Sequence, residues 1–109
     1  MSKKKQFQSK EAQAVAHVTE ELNILSDAID ELDQLIGDKG LSKTEKKLLQ
    51  QKKIELKTQE VLNKTRQNHA VTKFSKKFGN SMSADEITNE VSRLDNSNAK
   101  STNVTKVAG

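Results

Sequence analysis

The chain of 109 residues has no cysteine, proline, tryptophan or tyrosine, and only three phenylalanines, Phe7, Phe74 and Phe78. Without cysteine there are no disulfides and no thiolate metal sites. Without proline no helix is broken from within, and the four glycines fall between patterned segments, at Gly37, Gly40 and Gly79, or at the end, Gly109. A hydrophobic fraction of 32% and an aromatic fraction of 3% leave little material for a thick globular core. A compact mixed fold is therefore not expected, and the length allows one small domain at most. No apolar run approaches the ~18 residues of a membrane span, and "MSKKKQFQSK" is not expected to act as a signal sequence. The expectation is a soluble, cytoplasmic protein.

What the chain does contain is periodicity. Val15, Val18, Leu22, Leu25, Ile29, Leu32 and Ile36 follow one another at alternating spacings of three and four. That is a heptad seam with Val15, Leu22, Ile29 and Ile36 at a and Val18, Leu25 and Leu32 at d. Ala14, Ala28 and Leu35 widen it, while Ile24 lies elsewhere on the wheel. Ser9 can cap the start, and Gly37 stands where a left-handed cap is easiest for glycine.

After "GDKGLS", Ser42 and Glu45 match a capping box, so a second helix begins there and runs to Phe78, ending at Gly79. Leu49, Leu56, Asn63 and Ala70 recur every seven residues along it, with Leu41, Leu48 and Leu62 beside them. Ile54 and Val61 form a smaller stripe on another face. Ser83 and Glu86 form a second capping box and start a short third helix carrying Ile87, Val91 and Leu94. The fold class expected is all-α: a basic N-terminal tail over 1–8, a coiled-coil-like antiparallel hairpin over 9–78, and a linker with a short helix over 79–95. The hairpin divides into a helix over 9–36, a loop over 37–41 and a helix over 42–78. A polar tail over 96–109 is expected to be disordered.

Folding the long helices about the loop pairs residues whose numbers sum to roughly 78, bringing Ile29 to Leu49, Leu22 to Leu56 and Val15 to Asn63. The charges agree with this antiparallel pairing. Residues 9–40 carry eight acids and two bases, and residues 41–78 carry eleven bases and three acids. Flanking pairs such as Glu31 with Lys47 and Glu21 with Lys57 choose orientation more than they stabilise.

A two-helix layer cannot bury the whole widened seam, and Ile54 and Val61 would also stay wet. The seam Val15, Val18, Leu22, Leu25, Ile29, Leu32 and Ile36, with Ile54 and Val61, is therefore read as an oligomer or partner surface. Two hairpins could form a four-helix bundle, or one could dock on the helices of another protein. The alternative is a monomer in which the Ile87, Val91 and Leu94 helix folds back over the open face.

No catalytic constellation is present, and no enzyme, cofactor, metal or small-molecule substrate is expected. His17 and His69 are far apart in sequence, and the cluster Asp27, Asp30, Glu31 and Asp33 reads as the solvated flank of a coiled coil rather than a calcium loop. The basic end is more informative. The hairpin gathers Lys3, Lys4, Lys5 and Lys10 with Lys64, Arg66, Lys73, Lys76 and Lys77 at its open end, where Phe74 and Phe78 share a face. Such a pole can meet DNA or RNA phosphate, meet an acidic protein surface, or only keep the chain soluble; a membrane-surface role is a minor option. Arginine is confined to Arg66 and Arg93, so a nucleic-acid contact would be to phosphate without base choice.

In helix layout the chain is similar to small helical-hairpin proteins such as plasmid-copy-number RNA modulators, phage scaffolding and internal virion proteins, and export chaperones. Compact size, polar tails and a self-associating hairpin fit a phage or mobile-element accessory protein better than a housekeeping enzyme, in the cytoplasm or within a virion. The function expected is that of a non-enzymatic structural or assembly protein. The alternative is a non-specific nucleic-acid-binding accessory protein using the basic pole.

Overall fold

The computed structural model describes residues 3–95, with side chains from Lys5 onward. The expected polar tail over 96–109 lies outside the described residues. Within them the chain is all-helical and holds no strand: α1 spans Lys3–Phe7, α2 Lys10–Ile36, α3 Lys43–Phe78, and residues 84–95 form α4. The chain divides into two compact units. A terminal unit takes the residues up to Thr19 and from Gln67 onward, and a hairpin unit spans Glu20–Arg66. Helices α2 and α3 contribute to both and pair with each other, antiparallel, in each.

In the terminal unit four helical segments share one core of Phe7, Ala12, Val15, Ala16, Phe74, Ile87 and Val91, rimmed by residues such as Val71, Phe78 and Leu94. Ala12 and Ala16, one turn apart, let neighbouring backbones come close, and Ile87, Val91 and Leu94 put an apolar stripe on α4. Phe74 is fully buried, with its ring 5.9 Å from Phe7 and 5.0 Å from Phe78. The segment 1–8, expected as a tail, thus contains α1 and a core aromatic. Its junction with α2 is tied by Ser9, whose hydroxyl donates to Gln6 O at 2.6 Å and accepts from the Ala12 amide at 3.1 Å. Asn80 donates to Gln6 Oε1 at 3.3 Å, linking the α3–α4 connection to α1.

The hairpin unit is built more thinly. Among its residues only Ile29 and Asn63 are buried. Leu22, Leu25, Leu32, Ile36, Leu49 and Leu56 are half-buried along the α2–α3 contact. Asn63 donates to Glu21 Oε2 at 3.2 Å and accepts from Gln59 at 3.1 Å, so its amide is satisfied inside the seam. Lys53 pairs with Asp33 across the helices. In the loop, Asp38 Oδ1 accepts from the Gly40 amide at 2.9 Å, an Asx turn. The capping box is reciprocal: the Ser42 amide donates to Glu45 Oε1 and the Glu45 amide to Ser42 Oγ, both at 3.1 Å. Glu45 is held below its ordinary pKa, first by the Ser42 amide. Ser83 and Glu86 form the same box at the start of α4.

Two expectations need correction. Asn63 meets Glu21 rather than Val15, and Lys53 rather than Lys47 reaches the acidic flank. Thr19 with Gln67 and Glu11 with Lys77 follow the same shifted register in the terminal unit. The cause is the lean of helical side chains toward their own N-terminus. In an antiparallel pair the two leans oppose, so each α2 side chain touches an α3 residue farther from the loop than the one level with it. The second correction concerns Gly37, which has no positive φ; its amide continues the helical pattern to Asp33 O, and Asp38 closes a tighter turn to Leu35 O. The left-handed cap is at Gly79, with φ of 61° and its amide on Ser75 O at 2.8 Å.

The two glycines therefore differ in their tolerance. Gly79→Ala is expected to lower unfolding free energy by ~1 kcal/mol or more, because a Cβ strains a left-handed residue even in open space. Gly37→Ala, whose Cβ would meet nothing nearer than 3.4 Å, is expected to be neutral or slightly stabilising in urea titration.

Candidate interaction surfaces

The structure divides the sequence-predicted seam. Val15 and Val18 are buried in the terminal unit, so they are closed to a partner, and Ile29 is buried between α2 and α3. Leu22, Leu25, Leu32 and Ile36 remain half-exposed. Helix α4 covers Val15 and Phe74 within the terminal unit, as the fold-back alternative required there, but none of its residues belongs to the hairpin unit.

Six large apolar side chains stand exposed among the described residues: Ile24, Leu35, Leu48, Ile54, Val61 and Leu62, at 50% to 68%. All six belong to the hairpin unit. Isolated exposed leucines are ordinary on any protein surface, so their arrangement decides what they mean. Ile24 and Leu25 of α2 share a shallow depression of about 210 Å³ with Gln59 of α3, which fixes one side of the hairpin. Ala28 and Leu35 follow Ile24 by four and eleven residues, and Leu32 follows Leu25 by seven, on that side of α2. Leu62 lies three residues beyond Gln59 and Leu48 eleven before it, on the same side of α3. One side of the hairpin thus carries the exposed apolar residues Ile24 and Leu35 of α2 and Leu48 and Leu62 of α3, interspersed with Glu31, Lys52, Glu55 and Gln59. In sequence Leu35 widens the seam, Leu48 and Leu62 stand beside the second heptad and Ile24 lies off the wheel's seam, and only the pairing of the two helices brings the four to one side. Leu48 and Leu62 stand two heptads apart on one line, but Glu55 lies between them, so the sequence alone shows no continuous stripe.

Ile54 and Val61, counted with the seam in sequence, sit on the far side of α3. The Thr58 hydroxyl donates to Ile54 O at 3.0 Å and that of Thr65 to Val61 O at 3.2 Å, back-bonding threonines beside this stripe.

The basic residues are also divided. Lys5, Lys10, Lys73, Lys76 and Lys77 are exposed in the terminal unit, whereas Lys64 and Arg66 are exposed in the hairpin unit. The side chains of Lys3 and Lys4 lie outside the described residues. Lys77 is engaged by Glu11 at 3.1 Å, and this hydrogen bond is the first cause of the Glu11 carboxyl's lowered pKa. Phe74 and Phe78, expected to share one face at the open end beside these lysines, do pack together, but Phe74 is a core residue closed to bases and lipid and Phe78 rims the core half-buried. Among the described residues no cluster of three or more His, Asp or Glu could hold a metal, and no helix is long and apolar enough to cross a membrane.

Comparison with protein-family models, with curated proteins and with solved structures found no match.

Asn63 is the polar element of the hairpin seam, and a polar residue at a core heptad position holds register at a cost in stability. Asn63→Leu is expected to raise the thermal midpoint while amide NMR signals from 20–66 broaden or double. A lower midpoint with single sharp signals would mean that the Gln59–Asn63–Glu21 cluster stabilises more than it specifies.

Proposed function

We propose that the chain is a non-enzymatic assembly protein that self-associates through the apolar face of its hairpin unit. The observation that supports this reading is the segregation of exposure: all six exposed large apolar residues fall in the unit that buries only Ile29 and Asn63. Burying a large aliphatic side chain is worth about 1.5 to 3 kcal/mol, so covering the exposed Ile24, Leu35, Leu48 and Leu62 supplies a driving force of several kcal/mol before the cost of association. The terminal unit, with α1 and α4 packed onto the helix pair, has a core of its own and serves as the folded anchor.

Light scattering across a micromolar to millimolar series is expected to show mass rising to a dimer or higher. Leu62→Asp, at an exposed position, is expected to leave helical circular dichroism unchanged and to raise the dissociation constant at least ~tenfold, the equivalent of ~1.4 kcal/mol. A chain that stays monomeric throughout the series contradicts self-association.

The exposed amino groups of Lys5, Lys10, Lys73 and Lys76 in one compact unit favour a second reading, polyanion contact without sequence choice. In this reading random duplex DNA or RNA shifts on a gel at low salt, the affinity falls steeply as salt rises, and Lys73→Glu with Lys76→Glu removes it. Absence of a shift at low salt eliminates the reading.

A further inference from the structure

We infer that the occupant of the hairpin unit's apolar face is a second copy of the same face, packed so that α2 of one copy lies on α3 of the other with both loops at the same end. This inference rests on the self-association proposed above and adds its geometry.

Two ways of stacking the face on itself place the helices antiparallel across the interface. A twofold axis along the helices puts α2 over the other copy's α3, with the loops together. A twofold axis across the helices puts α2 over α2 and α3 over α3, with the loops at opposite ends.

Charge separates the two. Residues 20–36 carry six acids, Glu20, Glu21, Asp27, Asp30, Glu31 and Asp33, and no base. Residues 43–66 carry eight bases and three acids. By helical spacing Glu20, Glu21, Asp27 and Glu31 lie toward the Ile24–Leu35 side, while Asp30 and Asp33 turn away from it, so like-on-like stacking faces four acids with four, whereas α2-on-α3 stacking sets them against Lys52 and Arg66, with Glu55 the acid among them. Arrays of this kind set orientation even where individual exposed pairs add little.

Side-chain register favours the same choice. A twofold axis along the helices keeps every residue at its own height, so contacts between copies follow the register seen within the chain, in which Glu21 meets Asn63 and Asp33 meets Lys53. In that register Ile24 meets Leu62 of the second copy and Leu35 meets Leu48. The four exposed apolar residues of the face cover one another in two pairs, each made twice by symmetry. Glu31 falls near Lys52 of the second copy, which in the single chain has only a long 3.8 Å pair with Glu55.

The size is adequate. A paired length of 17 residues is about 25 Å, and two helices are about 20 Å across, giving roughly 500 Å² of projected face per copy and on the order of 1,000 Å² in total, the lower bound for a specific interface. Ile54 and Val61, on the far side of α3, are not used.

The absence of cysteine makes the test direct. A single Lys39→Cys variant of the full chain places one thiol in each loop. With the loops together, a short bis-maleimide is expected to convert most of the dimer to a covalent species, and spin labels at this position to report a separation near 20 Å. Addition of Leu62→Asp is expected to abolish both signals. A dimer by light scattering whose loop labels lie about 35 Å apart or farther, with no cross-link, overturns the arrangement and leaves self-association standing. A monomer at every concentration overturns both.

Discussion

Two helices packed side by side share one seam and leave two broad faces in water, and this geometric limit governs how the chain is built. In the hairpin unit only Ile29 is sealed among the apolar residues, and the leucines of the seam stay half-open. A side chain that leans against one neighbouring helix gains only part of the transfer free energy that full enclosure supplies. The unit therefore holds its conformation with local devices. These are a reciprocal capping box at Ser42 and Glu45, an Asx turn at Asp38, the Asn63 polar cluster and the Lys53–Asp33 pair.

The terminal unit shows what the same two helices achieve when further segments are added. Helix α1 supplies Phe7 and α4 supplies Ile87 and Val91, and the core then encloses Val15 and Phe74 completely. No large apolar residue of this unit stands exposed among the described residues. The contrast is one of layers rather than of composition, since α2 and α3 run through both units. An apolar surface left open in one unit and closed in the other is the pattern expected where association, not folding, completes the core.

Much of the fold was legible in the sequence because the responsible forces are local. The absence of proline, the three-four spacing from Val15 to Ile36, and the Ser9, Ser42–Glu45 and Ser83–Glu86 caps mark helices through hydrogen bonds within a few residues. What was not legible depended on tertiary geometry. The register slipped because side-chain lean is invisible to a count made on backbone positions. Gly37 did not take a left-handed cap because Asp38 closed the turn instead. Phe7 looked like part of a basic tail until α3 placed Phe74 against it. The apolar face was not legible for a similar reason: Leu35 widens the seam, Leu48 and Leu62 stand beside the second heptad and Ile24 lies off the seam, and only the pairing of α2 with α3 shows that they share a side.

The central claim is that the hairpin unit gains its missing layer from association while the terminal unit does not need one. Amide hydrogen exchange at two protein concentrations, one below and one above the association range, tests it most directly. The account predicts that protection of amides in 20–66 rises with concentration while that of core amides in the terminal unit, such as Phe74 and Ile87, is unchanged. Protection independent of concentration in both units would contradict it.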